Sequence, residues 1–478
     1  MPAGAACICR GVTNEHRGLV VAALMLTTGL AAIDATIVAT AVPQIVHDLG
    51  GFAKFPWLFS LYLLTQAVLV PIYGRLADIF GRKPVLLFGI GIFLVASILC
   101  GVAWSMVSLI AFRGMQGIGA GAIIPMTTTI VGDLYEPADR GRIQGYISGV
   151  WGVSAIVGPT LGGLFAQYWT WRGIFFLNIP VGIGAMWMLQ LHLRERVVKR
   201  EHTIDFSGAL VLTVAMSALI LGLLEGGAGW AWMSAPSVVL FVAAAVLLVA
   251  FVRIEQRAAE PILPLWVFQR RILVSTNLAG LAIGAILIGL TSYVPTYAQR
   301  VVGVGAVIAG LAMGAMTLGW PIAATLSPKV YLRLDYRRTA LIGGVFAIAG
   351  CLLFAVFVHA DSHVWRVAVA SFVTGVGLGF SSVATIVSAQ SVVGWDRRGV
   401  VTGTNMFIRS LGSAVGVALF GSIVNSRLHG HATLYRSIHD VFWVLVLVAV
   451  LGLAAQALMP ARVTTLVFAD ALPRADVT

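Results

Sequence analysis

Apolar residues run along this chain in stretches of about twenty, separated by short polar segments. A helix crosses ~30 Å of hydrocarbon with about 20 residues. Stretches at 19–41, 55–73, 85–104, 106–128, 143–166, 171–191, 205–224, 234–252, 272–294, 304–326, 339–358, 364–387, 400–423 and 438–458 each predict one crossing. That makes fourteen, and an even number puts both termini on one side. The first stretch is too long for a signal-peptide core and lacks a cleavage-like end, so it is expected to remain as a helix.

Composition agrees with a lipid solvent. The 478 residues are 59% hydrophobic and 10% charged, against about 25% charged in a typical soluble domain. The net charge of +12 invites a nucleic-acid reading, but the basic residues sit in short clusters between apolar stretches and form no stripe interleaved with aromatics. With both termini cytoplasmic, 23 of the 31 Lys and Arg fall in tails and inside loops and six fall outside. This asymmetry fixes the orientation and explains the basicity without a nucleic-acid partner. Cys7, Cys9, Cys100 and Cys351 form neither a disulfide framework nor a metal spacing. His429, His431 and His439 lie without a carboxylate cluster, so no metal or other cofactor is expected.

The chain repeats itself. At a shift of 258 residues, Gly117, Gly119 and Gly121 fall on Gly375, Gly377 and Gly379. Arg140-Gly141 falls on Arg398-Gly399, and Gly145, Gly158 and Gly163 fall on Gly403, Gly416 and Gly421. Two six-helix halves follow, with spans seven and eight inserted between them. The expected division is a tail (1–18), an N-terminal bundle (19–192), a linker with the inserted pair (193–253), a loop with the C-terminal bundle (254–460) and a tail (461–478). The repeat is chemically uneven. Arg113 falls on Ser371, and Asp34, where the register is looser, maps to an apolar stretch near Ile286. Coupling chemistry is therefore expected in the N-terminal half.

The loop after span two contains Gly74, Asp78, Gly81, Arg82 and Lys83, in the order Gly-Arg-Leu-Ala-Asp-Ile-Phe-Gly-Arg-Lys. It resembles the signature loop of the major facilitator superfamily, G-x-L-a-D-r-x-G-r-k. The resemblance implies a role in gating between inward- and outward-facing states. Span four, with Arg113, Gln116 and the three glycines, resembles that family's second motif. Span five, with Gly145, Ser154, Gly158, Pro159, Gly162 and Gly163, is similar to its antiporter motif, with Ser154 where a glycine is usual. Around Asp34, the segment Ile33 to Pro43 resembles the first helix of the fourteen-helix drug:proton antiporters, with Ala39 where that pattern commonly has Asn. Trp171 to Pro180 and Glu260 to Pro264 look like the same group. The implied fold is all-α, the major facilitator fold with two inserted helices, fourteen crossings and cytoplasmic termini.

A membrane-embedded carboxylate is costly and tends to be functional and paired. At about 1.5 Å per residue, Asp34 and Arg113 both lie roughly 12–13 Å below the outer surface, on neighbouring spans. They are the expected proton-coupling pair. Asp34, Gln116, Tyr293 and Asn405 are candidates for a substrate cavity, alongside Tyr62, Gln66, Asn277, Tyr297, Trp320 and Phe407. Arg409 in span thirteen and Glu225 at the end of span seven remain open. No nucleophile–base set argues for an enzyme. The expected activity is proton-coupled antiport exporting amphiphilic, cationic small molecules across the plasma (inner) membrane, by a monomer whose partners are cargo, protons and lipid. The alternatives are a dedicated exporter of one metabolite, antibiotic or lipid, and a non-transporting receptor or membrane enzyme.

Overall fold

The structure, a computed structural model, describes residues 14–50, 57–195, 205–226, 230–258, 261, 263–359, 363–429 and 433–461. The chain runs through α1 (Asn14–Leu49), α2 (Trp57–Phe80), α3 (Arg82–Gly101), α4 (Met106–Leu134), α5 (Pro137–Tyr168), α6 (Gly173–Phe176), α7 (Asn178–His192), α8 (Phe206–Glu225), α9 (Ala235–Glu255), α10 (Arg271–Arg300), α11 (Ala306–Tyr331), α12 (Tyr336–Phe357), α13 (Val364–Ser391), α14 (Arg398–His429) and α15 (Leu434–Ala457). Among the described residues, twelve helical segments are long and apolar enough to cross a membrane, α6 and α7 counting as one segment. The other two predicted spans fall on α5 and α8. Side chains within α5 and near both ends of α8 lie outside the described residues, so the count of twelve covers neither helix in full. Within α8, the described stretch Ser207–Leu223 is apolar. The tail before residue 14, most of the linker after Glu195 and the tail beyond 461 lie outside the described residues, as do His431 and Glu260.

Helix ends follow local chemistry. Ser105 caps α4 and exchanges hydrogen bonds with Ser108. Asp205, Asp335 and Thr433 cap α8, α12 and α15 in the same way, each accepting a backbone N–H of the first turn. Gly81, at φ +97°, separates α2 from α3 in a conformation that a side chain would strain.

The repeated glycines perform the same packing in both halves. Gly117 and Gly121 lie against the backbone of α2, and Gly375 and Gly379 lie against that of α11. Gly119 seats α3, and Gly377 seats α12. Gly158 meets α1 at Thr36, and Gly416 meets α10 at Ala285. Gly141 and Gly145 carry α5 onto α11, and Gly399 and Gly403 carry α14 onto α2. The two halves therefore meet along two related seams, α5–α11 and α2–α14. The inserted α8 packs its Leu212, Met216 and Ile220 into the second seam, against Val68 of α2 and Phe407 of α14.

A β-carbon on Gly119 would sit 2.6 Å from the Gly89 carbonyl oxygen and 2.6 Å from the Phe93 nitrogen. Backbone cannot swing aside, so Gly119→Val is expected to destabilise the N-terminal half by at least about 1–3 kcal/mol. Thermal unfolding in detergent reads the loss. Gly91→Val, with nothing within 4 Å of its β-carbon, is the matched control and is expected to leave the midpoint unchanged.

Candidate functional site: a buried carboxylate network and a latch between the halves

Asp34 stands on α1 at 0% exposure, enclosed by α3, α4 and α7. Arg113 and Gln116, three residues apart on α4, share the helix face turned to it. Arg113 Nη1 donates to Asp34 Oδ2 at 2.5 Å and to Gln116 Oε1 at 2.7 Å. Gln116 Nε2 donates to Asp34 Oδ1 at 2.8 Å, and Asn178 Nδ2 donates to the same oxygen at 3.0 Å. Ser97 of α3 accepts from both amides and donates its own hydroxyl to the Phe93 carbonyl. Arg113 also donates to the Leu58 carbonyl, and its guanidinium lies 4.2 Å from the centre of the Tyr62 ring.

Both carboxylate oxygens are thus occupied by donors. A proton arriving on Asp34 would cancel the charge that holds Arg113. The arrangement can therefore turn a protonation event into a side-chain release between α1 and α4. The antiporter-like segment lies beside it. Thr36, two residues beyond Asp34, donates to the Ser154 carbonyl of α5 at 3.0 Å, and Gly158 packs on Thr36. Ser154 and Gly162 are buried, whereas the burial of Pro159 and Gly163 lies outside what is described.

The second constellation sits where the loop after α2 meets the start of α14. Asp78 accepts the Gly399 and Val400 backbone N–H groups at 2.9 and 2.8 Å. A carboxylate there meets the positive end of the α14 dipole. Gly74 lies against the Gly399 carbonyl, so a side chain at either position would part the helices. Arg82, 1% exposed, pairs with Asp78 at 2.8 Å and with Asp133 of α4 at 3.1 Å. It also donates to the Trp395 carbonyl and stacks 3.7 Å over the Trp395 ring. Arg398 closes the cluster on Asp133 at 2.9 Å. Lys83 projects outward and donates to the Gln190 carbonyl. Glu195, beyond α7, accepts the backbone N–H groups of Arg82 and Lys83. Burial pushes its pKa above the usual carboxylate range, and those two hydrogen bonds oppose the shift.

The other sequence candidates are dispersed. Asn405 is 7% exposed and donates to the Thr276 carbonyl and to Asn277 inside the C-terminal half. Tyr293 is half-buried, edge-on to Phe420. Tyr297 is buried and donates to the Val358 carbonyl, and Phe407 belongs to the seam with α8. His439 lies tilted against Tyr435 and edge-on to Trp443, and no group of metal-binding side chains occurs among the described residues. A groove of about 1060 Å³ runs between α1, α5, α7 and α11, lined among others by Ile33, Val150, Ser154 and Ile322. Asp34 and Gln116, expected also at a cavity wall, lie behind it within the polar network.

Sequence reasoning gave no role to Ser97, Asp133, Trp395 or Glu195, and met Asn178 only within a longer resemblance. Ser97 and Asn178 carried one available signal, being hydrogen-bonding side chains inside predicted spans. Asp133 carried another, an acid at the end of a span whose repeat equivalent, Ser391, is neutral.

Residues 24–417 match the family model of the Major Facilitator Superfamily. The chain is similar to Multidrug resistance protein 3 of Bacillus subtilis (strain 168), 34% identical over 404 residues, covering 84% of this chain and 79% of that protein. The Multidrug transporter protein MdtP of the same strain is 34% identical over 416 residues, covering 87% and 76%. An efflux pump, FUS6, of Gibberella moniliformis is 30% identical over 426 residues, covering 86% and 74%. Among solved structures, the human organic anion transporter MFSD10 (TETRAN) superposes with a TM-score of 0.63 at 14% identity, over 91% of this chain and all of that one, a likeness of fold.

Proposed function

Because the chain belongs to the Major Facilitator Superfamily, we propose that it is a proton-coupled antiporter that exports amphiphilic small molecules across the plasma (inner) membrane. The relatives named as multidrug transporters and efflux pumps make it a membrane transporter of the efflux kind rather than an enzyme. In this reading α5 and α8 also cross the membrane, which gives fourteen crossings and cytoplasmic termini, as in the drug:proton antiporters of that helix number. Residues 19–192 and 254–460 are the two moving halves, residues 193–253 bring the inserted pair, and the working unit is a monomer.

One observation carries the proposal. Asp34 is fully buried at membrane depth and is held by Arg113. A proton from outside loads Asp34 and frees Arg113, and the freed α1–α4 contact lets the halves exchange seams. Proton loss to the inside restores the pair. Each pH unit supplies about 1.4 kcal/mol per proton, and the potential adds ~2.3 kcal/mol per charge per 100 mV. The Asp78–Arg82–Asp133 cluster acts as the latch of the closed cytoplasmic end. A cationic cargo can compete for Asp34 only after Arg113 withdraws, since both carboxylate oxygens are otherwise taken.

The test uses inside-out membrane vesicles with an acid interior, a pH-sensitive dye, and a panel of cationic, neutral and acidic amphiphiles. Addition of cargo is expected to dissipate the gradient. A well-expressed protein that releases no protons with any member of the panel would refute broad proton antiport and leave a dedicated or uncoupled exporter.

A further inference from the structure

Several arginines that lie in or at the spans are neutralised. Arg113 has Asp34, Arg82 has Asp78 and Asp133, and Arg398 has Asp133. Arg409 differs. It lies eleven residues into α14, about 16 Å along the helix from its start. It pairs with no carboxylate among the described residues. Its guanidinium instead lies 5.8 Å from the centre of the Trp320 ring. Trp320 is eleven residues from the same end of α11, at matching depth. Its own carbonyl is locked against Gly379, and the Arg409 carbonyl is locked against Gly284, so both backbones are fixed. Both side chains are half-buried.

The location gives this cation a use. α11 and α14 are the helices by which the C-terminal half meets α5 and α2. A side chain spanning from α14 to α11 lies on the face of the C-terminal half that is turned toward the N-terminal half. An uncompensated charge at that depth is costly and is kept where a water-filled path or a ligand meets it. A planar guanidinium beside an indole face suits a planar carboxylate carried on an aromatic body, by charge-assisted hydrogen bonds and ring stacking.

We infer that Arg409 and Trp320 form a recognition site for the acidic group of the cargo, so that this exporter takes aromatic carboxylates. The inference rests on the exporter reading above and names its substrate class. It also has an energetic consequence. Outward movement of one anion against one inward proton carries two charges in the direction favoured by an inside-negative potential, so flux of the acid should rise with potential.

The experiment compares 1-naphthaleneacetate with its primary amide. Purified protein in zwitterionic detergent micelles is titrated calorimetrically, with no gradient present. Wild type is expected to bind the acid at least tenfold more tightly than the amide. Arg409→Gln is expected to lose that discrimination while binding the amide unchanged, and Arg409→Lys to keep part of it. Trp320→Leu, which retains the charge, is expected to weaken acid and amide alike, and it serves if Arg409→Gln does not fold. Wild type that fails to distinguish acid from amide, or Arg409→Gln that binds the acid normally, overturns the site. So does a loss that appears only after anionic lipid is added, because the guanidinium then serves a headgroup. Proteoliposomes under a valinomycin-set potassium potential separate the two levels. Acid discrimination without proton movement keeps the site and rejects antiport, and proton movement with cations alone keeps antiport and rejects the site.

Discussion

Asp34→Asn is expected to abolish gradient-driven export while leaving a folded protein that still binds cargo. Asn has the shape of Asp and keeps an oxygen for the Gln116 and Asn178 donors. It cannot take or release a proton. Arg113 loses its carboxylate but retains Gln116 Oε1, the Leu58 carbonyl and the Tyr62 ring. Flux against a gradient should fall at least about a hundredfold, the equivalent of about 2.7 kcal/mol. Arg113→Ala is expected to behave differently. It strands a fully buried carboxylate, which costs about 3–5 kcal/mol, so the first symptom should be poor yield or a lowered unfolding midpoint. Joining Arg113→Ala to Asp34→Asn removes both charges and should recover the fold without recovering coupling. Paired measurements of unfolding midpoint and proteoliposome flux check the series. Full flux in a well-expressed Asp34→Asn protein would remove Asp34 from the coupling step.

The pairing of Asp34 with Arg113 was legible because helical rise converts sequence distance from a span's end into depth, and both residues come out at one level. The repeat was legible for a similar reason. Gly117, Gly119 and Gly121 recur as a register because each marks a place where another helix's backbone touches, and that contact is the same in both halves. What the chain did not announce depends on rotation about helix axes and on partners far away in sequence. Asp34 and Gln116 were expected also at a cavity wall, one as a carboxylate open to a cation and the other as an amide on a span, and the rotation of α1 and α4 sets them beside Ser97 and Asn178. Asp133 drew no role from the sequence, yet it meets arginines at the starts of two different helices, Arg82 of α3 and Arg398 of α14.

Asp78→Asn is expected to open the latch end of the molecule. The native carboxylate receives two backbone N–H groups at the start of α14 and pairs with Arg82, so it joins α2 of one half to α14 of the other. The amide can offer one oxygen to those donors and carries no charge for the dipole or the arginine. Charge at a partly buried helix end is worth up to about 2 kcal/mol. A loss of that size shifts a two-state equilibrium by about thirtyfold. Arg82 keeps Asp133 and the Trp395 ring, so the protein should remain folded. Spin labels at Ala138→Cys and Leu332→Cys, both exposed and at the ends of α5 and α11 that share this face, should read one short distance in the parent and an added longer one in the variant. Asp133→Asn should produce the same added distance, because Asp133 links Arg82 and Arg398 within the same cluster. The two substitutions combined should open the end by less than the product of their separate effects, as expected for residues sharing one partner. An unchanged distance distribution in all three would mean that the seams packed by Gly74, Gly399 and Gly145 hold the halves together unaided, and that the charges at the latch serve only to orient the loop.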